Sequence, residues 1–126
     1  MFIAALVALA LPAAKNASIE FAERDFDFGT VADSHAPITH EFKFVNAGPE
    51  PVVILSVTTG CGCTKPSYSL EPVKPGKSGS VKITFLPKGQ RGEINKDIRV
   101  RYRGAKDSGS KRLTLRLHGH VTPPAK

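Results

Sequence analysis

Tryptophan is absent from the 126 residues, methionine occurs once, and tyrosine and cysteine twice each. Two cysteines are too few for a disulfide-framework mini-domain, and they supply half the ligands of an ordinary structural zinc site. No stretch sustains three turns of 3.6-residue apolar periodicity. That excludes a helical bundle and removes the helix starts on which nucleotide-binding glycine loops and Cys-x-x-Cys redox motifs depend. The serines lie in turns with no nucleophile elbow around them, and Glu20, Glu23, Asp25 and Asp27 read as solvated charges on an edge strand. The chain therefore reads as non-enzymatic.

What is present is a composition for one soluble domain, 40% hydrophobic and 23% charged, punctuated by 11 Gly and 10 Pro. Downstream of Ser18 the apolar period is two. Ile38, His40, Phe42 and Phe44 share one face, and Val81, Ile83 and Phe85 repeat the pattern, as do Ile98, Val100 and Tyr102, then Leu113, Leu115, Leu117 and Val121. Val52–Val57 (VVILSV) is apolar on both faces and reads as a central strand, whereas Phe26 and Phe28 mark a short edge strand. Turn signals separate them at Asn46–Pro49, Lys74–Lys77, Leu86–Gly89 and Gly104–Ser110. The expected fold is all-β, an antiparallel immunoglobulin-like β-sandwich of six to seven strands. The core expected from this alternation is Phe42, Phe44, Ile54, Val81, Ile83, Phe85, Val100, Leu115 and Leu117.

Met1–Ala14 (MFIAALVALALPAA) is apolar throughout but falls short of the roughly 20 residues of a membrane-spanning helix. It reads as the hydrophobic region of a secretory signal, although no Lys or Arg precedes it, with Ala14 and Ala17 as the nearest cleavage candidates. Residues 1–17 are assigned to the signal peptide and 18–126 to the sandwich. No cysteine follows the apolar run to carry a lipid. The expected location is periplasmic or secreted, with no integral membrane segment after processing.

The ordered series Phe26–Val31 (FDFGTV), His40–Gly48 (HEFKFVNAG) and Cys61–Pro66 (CGCTKP) resembles the bacterial family catalogued as domain of unknown function 1573. The likeness continues through Pro72–Gly76, the strand ending at Phe85, Arg91–Val100 and Leu115–Val121, so it spans about Phe26 to Val121. The resemblance implies an exported immunoglobulin-like domain, similar to sandwich domains of the major sperm protein kind, with no assigned biochemical role. Tyr102-Arg103-Gly104 stands where the family usually has a Ser-Asn turn, and His118 and His120 are not its usual occupants. No site is inherited at those positions.

Cys61-Gly62-Cys63 is the sharpest chemical feature. In an extended segment the two thiols project to one side, close enough to share a soft ion such as Cu(I); a turn at Gly62 instead lets them close a disulfide. In a sandwich of this kind His40, His118 and His120 reach the same pole, which makes Cys61, Cys63, His40, His118 and His120 a candidate metal set. The competing reading places His118 and His120 as a solvent-facing pair on the face opposite Leu113, Leu115 and Leu117. No resident cofactor is required by either.

Charge is distributed unevenly. Ser18–Glu50 is net −5 and Pro51–Lys126 net +11, within a total of +7. Arg99, Arg101 and Arg103 alternate with inward Ile98, Val100 and Tyr102, and Arg112 and Arg116 alternate with the leucines. Paired as a hairpin, these strands would present a basic face able to attract an anionic polymer or membrane surface. Nucleic acid is disfavoured, because neither aromatic interleaving nor a groove-reading helix accompanies the arginines. The reading is an exported, non-catalytic module, binding or structural, whose partner is a protein or an anionic envelope component. The alternative is a thiol-redox or Cu(I)-handling protein acting through Cys61 and Cys63.

Overall fold

The computed structural model describes residues 17–107 and 109–124. The signal-like segment Met1–Ala14 lies outside them. Eight strands follow in order: β1 (Ile19–Phe21), β2 (Asp25–Ala32), β3 (Ile38–Asn46), β4 (Val52–Thr59), β5 (Thr64–Tyr68), β6 (Ser78–Phe85), β7 (Gly92–Gly104) and β8 (Lys111–Thr122). They form two four-stranded sheets, β1-β3-β6-β5 and β2-β8-β7-β4. The expected sandwich is therefore present, with two strands more than the alternation revealed. β1 has only three residues, and β5 (TKPSY) lacks an apolar alternation, so neither carries a period-two signal.

Inward rows from both sheets make the core. Phe42, Phe44, Val81, Ile83 and Phe85 come from the first sheet, and Val52, Ile54, Val57, Ile98, Val100, Leu115, Leu117 and Val121 from the second, all buried. Every residue of the expected core is among them. Each large apolar side chain taken out of water contributes about 1.5–3 kcal/mol, which makes these rows the main source of stability. All strand pairs are antiparallel except one: β2 runs parallel to β8 at the sheet edge. A bulge between Asp27 and Thr30 breaks that ladder at Gly29, which takes φ +80° while its N–H donates to the Asp27 carboxylate at 2.8 Å. Phe28 then stacks on Phe85, with ring centroids 4.9 Å apart, and lies over Gly119, where a Cβ would come within 2.5 Å of the ring.

Val52–Val57 is not central. β4 pairs with β7 alone and closes its sheet. Val73, in the connection between β5 and β6, exchanges backbone hydrogen bonds with Val52 at 2.9 and 2.8 Å and covers the free edge of β4 there. The same connection is tied to the β3–β4 turn by Asn46, which is 1% exposed. Its amide nitrogen donates to the carbonyls of Glu50 and Val73, both at 2.8 Å, and its side-chain oxygen accepts from Gly48 N–H at 2.8 Å. A buried amide so fully satisfied welds two loops at one pole. Ala17, assigned to the leader on sequence grounds, is 3% exposed and belongs to the core at this same end, where its carbonyl accepts from Lys111 Nζ at 2.8 Å.

Phe42→Ala is expected to lower the free energy of unfolding by about 3–5 kcal/mol, whereas Lys43→Ala, one residue along on the outer face, should change it by less than about 0.5 kcal/mol. Asn46→Ala should cost about 1–3 kcal/mol through the backbone groups it orphans. Urea titrations of the three variants check both statements, and equal effects at positions 42 and 43 would contradict the assigned faces.

Candidate functional site

The thiol pair sits in the turn that carries the chain from β4 in one sheet to β5 in the other. Cys61 and Cys63 are joined, with Cα atoms 5.2 Å apart, and Cys63 is buried while Cys61 is partly exposed. Backbone and hydroxyl groups clamp the turn from all sides. Thr64 N–H donates to Cys61 O at 3.2 Å, Leu86 N–H donates to Cys63 O at 2.8 Å, and the Thr59 hydroxyl reaches the carbonyls of Cys61 and Thr64 at 3.1 and 3.0 Å. Cys63 N–H lies 3.1 Å from Cys61 Sγ, and Thr64 Oγ1 lies 3.5 Å from Cys63 Sγ. Thr59 and Thr64 were given no role on sequence grounds. Their signal is the short hydroxyl residue on each side of the Cys-Gly-Cys turn, a type that satisfies loop backbone.

The histidines do not join the cysteines. His40 shares the inward parity of Phe42 and Phe44, stacks on Phe26 with centroids 3.8 Å apart, meets Phe42 edge-on and engages the Glu23 carboxylate through Nε2. His118 and His120 have the outward parity of β8. His118 Nε2 lies 2.7 Å from Asp25 and its Nδ1 4.0 Å from Asp27, while His120 lies 3.8 Å from Glu93. Opposite parities place His40 between the sheets and the other two on the outer face of the second sheet, and each of these three imidazoles has a carboxylate beside it. Among the described residues no group of three or more His, Cys, Asp or Glu is arranged to hold a metal ion. Glu23, Asp25 and Asp27, expected to be merely solvated, are the partners that latch edge strand β2 to its neighbours. His118 and His120 are half-exposed, a solvent-facing pair with carboxylates beside it.

The arginines assemble as the alternation implied. β7 and β8 pair with Arg99 opposite Thr114 and Arg101 opposite Arg112; on the other side, β4 sets Ser56 against Arg101 and Thr58 against Arg99. Arg99, Arg101, Arg103 and Arg112 are exposed, and among the described residues no carboxylate stands within ion-pair distance of them. Arg116 differs: Asp97, directly opposite, lies 3.8 Å away. Ser56, Thr58, Arg99, Arg101 and Arg112 border a shallow depression of about 250 Å³ on this face. Tyr102, the next residue of β7 after Arg101, points inward. Burial raises the pKa of its phenol above the ordinary value, and the positive charge of Arg24 opposes that rise.

A second depression, about 580 Å³ and largely apolar, opens at the pole between Asp33–Pro37 and Leu86–Lys88. Its carboxylate is already spoken for, since Asp33 accepts from Gly89 N–H at 2.8 Å. No helix among the described residues is long and apolar enough to cross a membrane.

Comparison with known proteins matches residues 19–121 to the family described as "Protein of unknown function (DUF1573)". No curated protein matches the sequence. Among solved structures the fold is similar to the ASH/PapD-like domain of human CEP192, with a TM-score of 0.73 at 17% identity, covering 98% of this chain and 99% of that one. It is also similar to a protein of unknown function from Porphyromonas gingivalis W83, with a TM-score of 0.67 at 22% identity, covering 88% of this chain and 50% of that one. A third is SSP-19, an MSP-domain protein like family member in Caenorhabditis elegans, with a TM-score of 0.51 at 19% identity, covering 75% of this chain and 92% of that one. At such identities the likeness is one of fold.

Because the Cys61–Cys63 ring is so short and the turn is clamped independently of it, changing both residues to Ser should leave the strands intact. The expected loss of stability is about 1–2 kcal/mol, against about 3 kcal/mol for a bridge closing a roughly 15-residue loop. Thermal unfolding with circular dichroism measures it, and collapse of the fold in the double variant would show that the bridge, and not the hydrogen bonds, holds the turn.

Proposed function

The chain belongs to the DUF1573 family, and from that premise we propose that it is an exported, non-catalytic immunoglobulin-like module that binds a protein or an anionic component of the cell envelope. The observation that carries the reading is the pairing of Cys61 with Cys63, since disulfides persist in oxidising compartments and are rare where thiols are kept reduced. The apolar segment Met1–Ala14 supports export. Core placement of Ala17 favours cleavage upstream of it, after Ala14, because removing Ala17 would strip a buried side chain from the pole.

Binding through a face is favoured over strand addition by the state of the four edges. β1 is three residues long, β2 is bulged at Gly29, β4 is bulged between Ile54 and Ser56 and covered by Val73, and β5 carries Lys65 and Pro66. Each device blunts an edge against pairing with another chain. The remaining surfaces are the two sheet faces and the poles.

Fractionation followed by N-terminal sequencing tests the reading. The expected product is a protein in the envelope or medium beginning at Lys15, with no free thiol under denaturing, non-reducing conditions. A cytoplasmic protein that retains Met1 and two reactive thiols would sink it. Copper that co-purifies and is lost on Cys61→Ser would replace it with the metal-handling alternative.

A further inference from the structure

The outer face of β4-β7-β8 is divided by charge. Outward positions of β7 run Glu93, Asn95, Asp97, Arg99, Arg101, Arg103, so the strand passes from acidic to basic along its length. Neighbouring strands extend the division: Asp25 and Asp27 of β2 lie beside the acidic end through His118, and Arg112 of β8 lies beside the basic end. Like charges directly opposite on a sheet destabilise it, yet Arg101 faces Arg112 with no carboxylate between them among the described residues. Where Asp97 is within reach, Arg116 takes it; among the described residues the arginines beyond have none.

From this we infer that the basic half of the face is a docking site for an acidic polypeptide segment in extended conformation. The inference rests on the binding-module reading above and names the partner's chemistry. Arg99, Arg101 and Arg103 recur at every second residue, about 6.8 Å apart, which is the spacing of same-side carboxylates along any extended peptide. A peptide laid along β7 would place successive carboxylates over successive guanidinium groups, each pair able to form two parallel hydrogen bonds. Arg112, roughly 5 Å across from Arg101, closes the depression on one side. The hydroxyls of Ser56 and Thr58 line its other side as further donors.

A planar anionic membrane fits this face poorly. The same plane carries Asp25, Asp27, Glu93 and Asp97, which would be repelled, and the exposed large apolar residues among those described, Val45 and Leu70, lie on β3 and in the β5–β6 connection, away from the face. A ligand confined to the basic half avoids that repulsion.

The test uses the mature chain and a labelled short peptide alternating Glu and Thr, read by fluorescence anisotropy at low salt and again above about 0.1 M salt, where exposed charges are screened. The expected result is salt-sensitive binding, tighter than to a peptide of the same composition with its glutamates consecutive. Binding should weaken at least roughly tenfold in the Arg99→Gln/Arg101→Gln/Arg112→Gln variant. Arg116→Gln, which removes the arginine already paired with Asp97, should alter it far less. Circular dichroism of the triple variant, expected to match the parent, excludes misfolding as the cause.

Equal binding of both peptides, an unaffected triple variant, phosphatidylglycerol vesicles that compete better than the peptide, or inorganic phosphate that displaces it at equal charge would each overturn the assignment. So would concentration-dependent self-association lost in the triple variant, which would make a second copy the occupant. If the parent is exported and oxidised as expected but does not bind the alternating peptide, this face is wrong while the exported-module reading stands.

Discussion

Phe42, Val81, Ile83 and Phe85 of one sheet and Ile98, Val100, Leu115 and Leu117 of the other are wholly buried in a single cluster, and the rest of the molecule is arranged so that these rows stay in register. A strand slipped by one residue would turn its apolar row to water and its charged row to the core. Alternation of this kind therefore sets the outer surface as firmly as the inner one. The arginines of β7 face outward because Ile98, Val100 and Tyr102 face inward.

The poles are held by polar groups instead. At one end Asn46 joins the β3–β4 turn to the connection before β6, and at the other Thr59 and Leu86 hold the Cys61–Cys63 turn. These connections cross between sheets, where ladder hydrogen bonds run out and buried backbone groups need side-chain or loop partners. The cysteine turn is thus one member of a hydrogen-bonded crossover. His40, on the same inward parity as the core phenylalanines, closes the sandwich beneath β2 by stacking on Phe26.

Surface chemistry follows from the same geometry. The sheet edges are blunted, and the outer face of the second sheet is the one on which charge is sorted. Its acidic half is spent internally, with Asp25 and Asp27 beside His118, Glu93 near His120 and Asp97 near Arg116. Its basic half has no such internal use among the described residues. That asymmetry is what the proposed binding role draws on.

Local sequence determined what a strand can settle alone: which residues point inward, where turns fall, that β2 lies at an edge, and that β7 and β8 carry a basic row. Side-chain parity and turn chemistry act over a few residues, so Phe42, Leu117 and Arg101 could be placed without knowing their neighbours. Tertiary structure decided which strands lie beside which. The parallel pairing of β2 with β8, the edge position of β4 beneath Val73, the short strands β1 and β5, and the addition of Ala17 to the core all depend on partners distant in sequence. The expected grouping of His40 with His118, His120 and the cysteines failed for the same reason. Reaching one pole is a property of connectivity, but meeting there also requires a common face, and the parity that sends His40 inward sends His118 and His120 outward, to carboxylates that only the folded chain brings beside them.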